Sequence, residues 1–277
     1  MKIGLTELEK SLPHIEGLPL NLFARKDKIY NSLLQRAFTK YKRSPYSSRT
    51  KDDLYNILNS LLGTISILFT PLSSKALSNL LSLREEDMGM LLEELGGILN
   101  IPSELDDPLR FHDPSFRDFL YNKHRCEETA LVVKEETVHL LMARNCVKVM
   151  EDSLKQDICG FKSPSVLASS MAKDRLNVYL QEEVQYACIY WVQHLEKGLA
   201  KVQPGSEFVN FVKVHLLHWI EALGWIGRLD SAIGTLVTLE SIPWVGLSYS
   251  RFDLSADLAS REFLLQRSYL CSRMHDR

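Results

Sequence analysis

Leu54, Ile57, Leu58, Leu61, Leu62, Ile65 and Leu68 stand three and four residues apart. That spacing puts all seven on one face of an α-helix. The same period returns in Val184, Ala187, Cys188, Trp191, Val192 and Leu195. It returns again in Phe208, Phe211, Val212, His215, Leu216, Trp219, Ile220 and Leu223. Weaker stripes run through Val138, Leu141, Met142 and Val149, and through Leu229, Ile233, Leu236 and Val237. Gly160, Pro164, Pro204, Gly205, Gly224 and Gly227 punctuate these runs. The chain is expected to be mainly α, with its second half a bundle or superhelix of packed helices.

The first half carries a more specific order. Pro71 stops the helix that ends near Phe69, and Ser73 or Ser74 can cap a second helix holding Ala76, Leu77, Leu80 and Leu81. A third is expected from Ser82 or Leu83, with Glu85, Glu86 and Asp87 at its positive end and Met88, Leu91, Leu92, Leu95 and Leu99 as its buried face. Ile98–Ile101 and Leu109–His112 read as two short strands around a polar turn. Asp113 then caps a further helix, with Pro114 in its first position and Phe116, Phe119 and Leu120 on its apolar side. Three helices, a two-stranded wing and a following helix make a winged helix.

Charge narrows the choice of partners. The 277 residues hold 33 Lys and Arg against 35 Asp and Glu, a net of -2. Residues 25–51 are locally basic, with nine Lys and Arg against Asp27, and are expected to form a solvated face. The third helix, which would enter a DNA groove, carries five carboxylates (Glu85, Glu86, Asp87, Glu93, Glu94) beside Arg84. Such a helix repels a duplex, so nucleic acid is not the expected ligand. No apolar run approaches the roughly 20 residues of a membrane span, and the first ten residues lack the pattern of a secretion signal. Five unpaired-looking cysteines without a CxxC fit reduced thiols, and the expected location is the cytoplasm.

The motifs of nucleotide chemistry are missing. No Gly is followed by Lys, and no GxGxxG occurs, so the chain has no phosphate-binding loop of its own. It is not expected to be an enzyme, to hold a metal or to bind a cofactor alone. His215 and His218 have a spacing that permits metal binding with a third ligand, but His215 lies on an apolar stripe and is expected to pack there. Trp191, Trp219 and Trp225 read as core anchors and Cys188 as inert filler. His112 differs, because a strand-to-helix junction can aim an imidazole at a neighbouring domain, where its N–H can reach a phosphate. The plainer alternative is a bond from His112 to a local backbone carbonyl.

The string Phe111-His112-Asp113-Pro114-Ser115-Phe116-Arg117-Asp118-Phe119-Leu120 resembles the F-x-H-x-S-F-x-[DE]-F-L signature that closes the winged helix of NACHT-type (STAND, NLR-like) signalling NTPases. Leu62–Ile65 and Leu68–Ser73 are similar to the first winged-helix segment of the fungal members. Ser153–Gly160, Glu183–Leu195 and His215–Leu223 are similar to the helices that follow, and the likeness spans about Leu20 to Trp244. The likeness is to members tied to heterokaryon incompatibility and innate immunity. The resemblance implies a nucleotide-controlled switch in which the signature histidine contacts the phosphates of ADP. That role falls on His112, with Ser115, Phe116 and Phe119 positioning its helix.

The chain is therefore expected to be a regulatory fragment of such a switch. Residues 1–50 would be a basic remnant of the linker from the NTPase, 51–125 the winged helix, 126–245 a helical module and 246–277 a poorly patterned tail. ADP or ATP would be bound by the NACHT domain of a full-length relative, and that domain or a homo-oligomer would be the partner. The alternatives are a stand-alone protein-interaction module, marked by a large exposed apolar face on the winged helix, and a winged-helix nucleic-acid binder.

Overall fold

A reciprocal cap starts the helix that carries the 54–68 stripe. Thr50 Oγ1 accepts from the backbone N–H of Asp53 at 3.2 Å, and Asp53 Oδ2 accepts from the Thr50 N–H at 3.0 Å. The computed structural model describes residues 22–43, 50–102, 107–161, 172–199 and 206–242. The expected loop around Pro45, the breakers Pro164, Pro204 and Gly205, and the tail 246–277 lie outside the described residues.

The described elements are mainly helical. Helix α1 spans Leu22–Arg43, α2 Lys51–Ile67, α3 Ser74–Leu80 and α4 Glu85–Leu95. Strands β1 (Leu99–Asn100) and β2 (Arg110–Phe111) pair antiparallel, with Leu99 opposite Phe111 and Asn100 opposite Arg110. Helix α5 is Ser115–Tyr121, and a 3₁₀ turn covers Thr129–Leu131. Then come α6 (Glu135–Ser153), α7 (Lys173–Tyr179), α8 (Glu182–Lys197), α9 (Glu207–Ile226) and α10 (Leu229–Ser241). Two compact units divide the chain, residues 1–138 and 139–277. The expected segments 1–50 and 51–125 both fall within the first.

In the first unit, α2, α3, α4 and the two strands follow the expected winged-helix order. Leu58, Leu61, Leu62, Leu77, Leu91 and Leu95 are almost fully buried and form its centre. Ser73 caps α3 by accepting from the Ala76 N–H. The third helix starts later than expected. Ser82 adopts a left-handed φ of 51°, and Leu83 donates its N–H to the Ser78 carbonyl. This turn consumes the residues that were to begin the helix, so α4 opens at Glu85 after Arg84. The strands are also shorter than expected, two residues each.

The basic stretch is a helix with a buried side. Ile29, Tyr30, Asn31, Leu33, Leu34 and Ala37 of α1 are buried, while Arg25, Lys28, Arg36 and Lys40 are exposed. Lys40 pairs with Glu94 of α4 at 2.8 Å.

In the second unit, the expected faces of α8 and α9 are the buried ones. Trp191 and Trp219 meet edge to face with centroids 5.8 Å apart, and the Trp219 indole N–H donates to the Cys188 carbonyl at 2.8 Å. Two weaker stripes match the buried face only in part. On α6 Val138 and Met142 are buried as expected, together with His139, Ala143, Cys146, Val147 and Met150, while Leu141 and Val149 are half-buried. On α10 the buried ones among the described side chains are Ala232, Thr235 and Leu239, while Leu229 and Leu236 are half-buried, Val237 is 61% exposed and Ile233 lies outside the described side chains. Thr235 can be buried because its hydroxyl donates to the Ser231 carbonyl one turn back.

Candidate functional site at the end of the wing

The wing delivers the residues of the signature to two different environments. Phe111 faces inward, with its ring 5.2 Å from that of Phe116. Phe116 and Phe119 are 1% and 0% exposed and close the core beneath α5. His112 follows Phe111 and turns outward, so its side chain is exposed. Its backbone N–H donates to the Ile98 carbonyl at 2.9 Å, extending the strand pairing by one bond. Its Nε2 lies 3.3 Å from the Gly96 carbonyl oxygen. That contact is the plainer alternative from the sequence, and it leaves the rest of the ring open to solvent.

Asp113 starts the helix, in a manner the sequence foresaw only in part. The helical residues begin at Ser115, one position later than expected, but Asp113 Oδ1 accepts from the Ser115 N–H at 2.9 Å. The cap is therefore real, although Pro114 precedes the first helical residue. The other carboxylate oxygen reaches across to α1. Asp113 Oδ2 accepts from Lys26 Nζ at 2.6 Å and from the Tyr30 hydroxyl at 3.0 Å. With its proton committed to Asp113, the Tyr30 oxygen accepts from Ser115 Oγ at 3.0 Å.

The electrostatics follow from these bonds. Burial alone would raise the Asp113 carboxyl, but hydrogen bonds from Lys26, Ser115 and Tyr30 outweigh it and hold the group well below the usual carboxylate range. Burial pushes the Tyr30 phenol above its ordinary value. Below this network Tyr30 packs edge-on against Phe116, with centroids 4.9 Å apart, and against Phe119 at 5.3 Å. Arg125 forms a two-toothed bond to Asp27 of α1 at 2.7 to 3.1 Å, and Asn31 bonds the backbone of Arg125 and of Glu127.

Four α1 residues at this site, Lys26, Asp27, Tyr30 and Asn31, were not singled out as contacts. In sequence α1 shows a short stripe of Ile29, Leu33, Leu34 and Phe38 at helical spacing. Tyr30 is one residue off that stripe, and its partners lie 83 and 85 positions away. The spacing of the signature also departs from the family pattern. The position two before Ser115 is Asp113, which bonds inward to α1, and His112 stands three before Ser115.

Among the described residues of this unit there is no large exposed apolar face of the kind that would mark a stand-alone interaction module. Among its described residues, the exposed large hydrophobic side chain is Phe69, at 36%.

The second unit contains a separate polar cluster that sequence reading missed. His139 and His194 are 2% and 0% exposed, with their Nδ1 atoms 2.8 Å apart. The Tyr186 hydroxyl lies 2.8 Å from His194 Nε2. Burial, followed by the neighbouring His139 and Lys197, pulls His194 down to about 3. The group is neutral and structural at ordinary pH. Burial likewise pushes the Cys188 thiol well above its ordinary value, as expected of inert filler. Among the described residues, no helix is long and apolar enough to cross a membrane.

The chain matches no protein-family model, no curated protein and no solved structure.

Proposed function

We propose that this chain is the regulatory part of a NACHT-type nucleotide switch, with His112 as the residue that meets the nucleotide. In this reading the ADP phosphates belong to the NTPase domain of a full-length relative, and the chain itself catalyses nothing. The helical second unit acts as the arm towards a sensor. The observation that carries the reading is the exposure of His112 at the mouth of a strand-to-helix junction whose underside is fastened to α1. An imidazole presented on a rigid base loses little entropy when it binds a phosphate oxygen. The one-residue offset of His112 from the family spacing makes the side chain itself the proper object of the test.

His112→Leu, placed at the equivalent position of a full-length relative, is expected to speed ADP release and raise basal signalling. Unchanged ADP release would remove His112 from the switch. Calorimetry of the present chain with ATP or ADP is expected to show no binding. Micromolar affinity would mean that a nucleotide site of a different kind exists here.

A further inference from the structure

His215 and His218 lie three residues apart on α9. Their Nδ1 atoms are 3.3 Å apart and their rings meet at 68°. The sequence placed His215 inside an apolar stripe, but both rings are half-buried, on the shoulder between the core face and solvent. Lys213 and Val214 beside them are exposed. The rings are also held. Phe211, itself 1% exposed, stacks parallel to His215 at 5.6 Å with 5° between planes. Trp219, adjacent to His218, anchors this turn of the helix through its bond to the Cys188 carbonyl.

The separation of the two nitrogens is the informative quantity. A tetrahedral ion with metal–imidazole bonds of about 2.0–2.1 Å places neighbouring nitrogens about 3.3–3.4 Å apart. We infer that His215 and His218 form a two-nitrogen chelate for a tetrahedral divalent cation of the zinc class. Imidazole is a preferred donor for such a cation. Among the described residues no group of three or more His, Cys, Asp or Glu is arranged to hold a metal. With two imidazoles as its protein ligands the ion takes water in its other positions and is exchangeable, unlike the ion of a closed structural zinc site.

The proton balance is simple. Without metal, one ring donates its Nδ1–H to the Nδ1 lone pair of the other. On binding, that proton passes through solvent to Nε2 of the same ring. Both Nδ1 lone pairs then point at the cation, and neither ring changes charge.

The test is calorimetric titration of the full chain with Zn²⁺. One saturable site per chain is expected. His215→Gln and His218→Gln should each weaken it by at least about tenfold, while His112→Ala leaves it unchanged. Co²⁺ is paramagnetic and accepts the same tetrahedral geometry, so with it the ring signals of His215 and His218 should broaden first among the eight histidines of the native chain. That readout needs no variant and decides the matter if a glutamine variant fails to fold. Absence of saturable binding, wild-type affinity in folded glutamine variants, or broadening centred on other histidines overturns the site.

Discussion

The Tyr30 hydroxyl donates to the Asp113 carboxylate at 3.0 Å across 83 positions of sequence. The bond joins α1 to the start of α5, and Lys26 and Ser115 complete it from either side. A carboxylate that caps a helix with one oxygen and ties down a second helix with the other does two structural tasks at once. The basic segment thereby becomes part of the first unit's core.

Removing that carboxylate should be costly. Asp113→Ala loses the cap on α5 and strands Lys26 and Tyr30, with an expected destabilisation of about 2–3 kcal/mol. Tyr30→Phe should cost about 1 kcal/mol. Urea unfolding of both single variants and the double variant should give a coupling of at least about 0.5 kcal/mol. Strict additivity would show that the two groups do not interact in solution.

Acid should weaken the protein in two stages. His194 is depressed to about 3 in the folded chain, so between its unfolded value of about 6.5 and that figure the unfolded state binds more protons. Its neutral form is fully compatible with the fold above that window, and stability falls as pH drops through it, by up to about 2 kcal/mol at pH 5. Asp113 is depressed as a carboxylate, so its contribution is present above about pH 4 and is lost below that. Stability measured from pH 7 to 5 should fall in the native chain and stay flatter in His194→Gln. An equal slope in both would assign the acid sensitivity to other groups.

Gly198 tests close packing. A Cβ at this position would stand 2.9 Å from the Leu140 backbone nitrogen and 3.0 Å from its Cα. Backbone atoms cannot swing aside as a side chain end can. Gly198→Ala is therefore expected to destabilise by about 1–3 kcal/mol. Helix propensity alone predicts the opposite sign. A melting temperature at or above that of the native chain would refute the contact.

His112 should be dispensable for folding. Its ring is exposed and touches the Gly96 carbonyl at 3.3 Å, so His112→Ala should change stability by no more than about 0.5 kcal/mol. A larger loss in thermal unfolding would mark the residue as structural, and would weaken the case for a role towards a neighbouring domain.

The helices were legible because their signals are local. The faces of α2, α8 and α9, the Ser73 cap and the succession of three helices and two strands follow from side chains three and four apart and from capping residues. The face of α6 was read in part, through Val138 and Met142, and that of α10 was displaced, where small or self-satisfied residues are buried. Ala143, Cys146 and Ala232 carry little hydrophobic weight in a pattern, and Thr235 reads as polar until its bond to Ser231 is seen.

The sequence by itself determined a mainly helical chain, its stops and caps, and a histidine at the end of a short wing. Only the tertiary structure decided that Tyr30 and Lys26 belong to Asp113, that His139 faces His194, and that His215 and His218 sit half-open with converging nitrogens. The reason is geometric. Periodicity reports which side of its own helix a residue occupies, whereas the partner of a polar group depends on which distant segment arrives opposite it and on how the rings are turned by their neighbours.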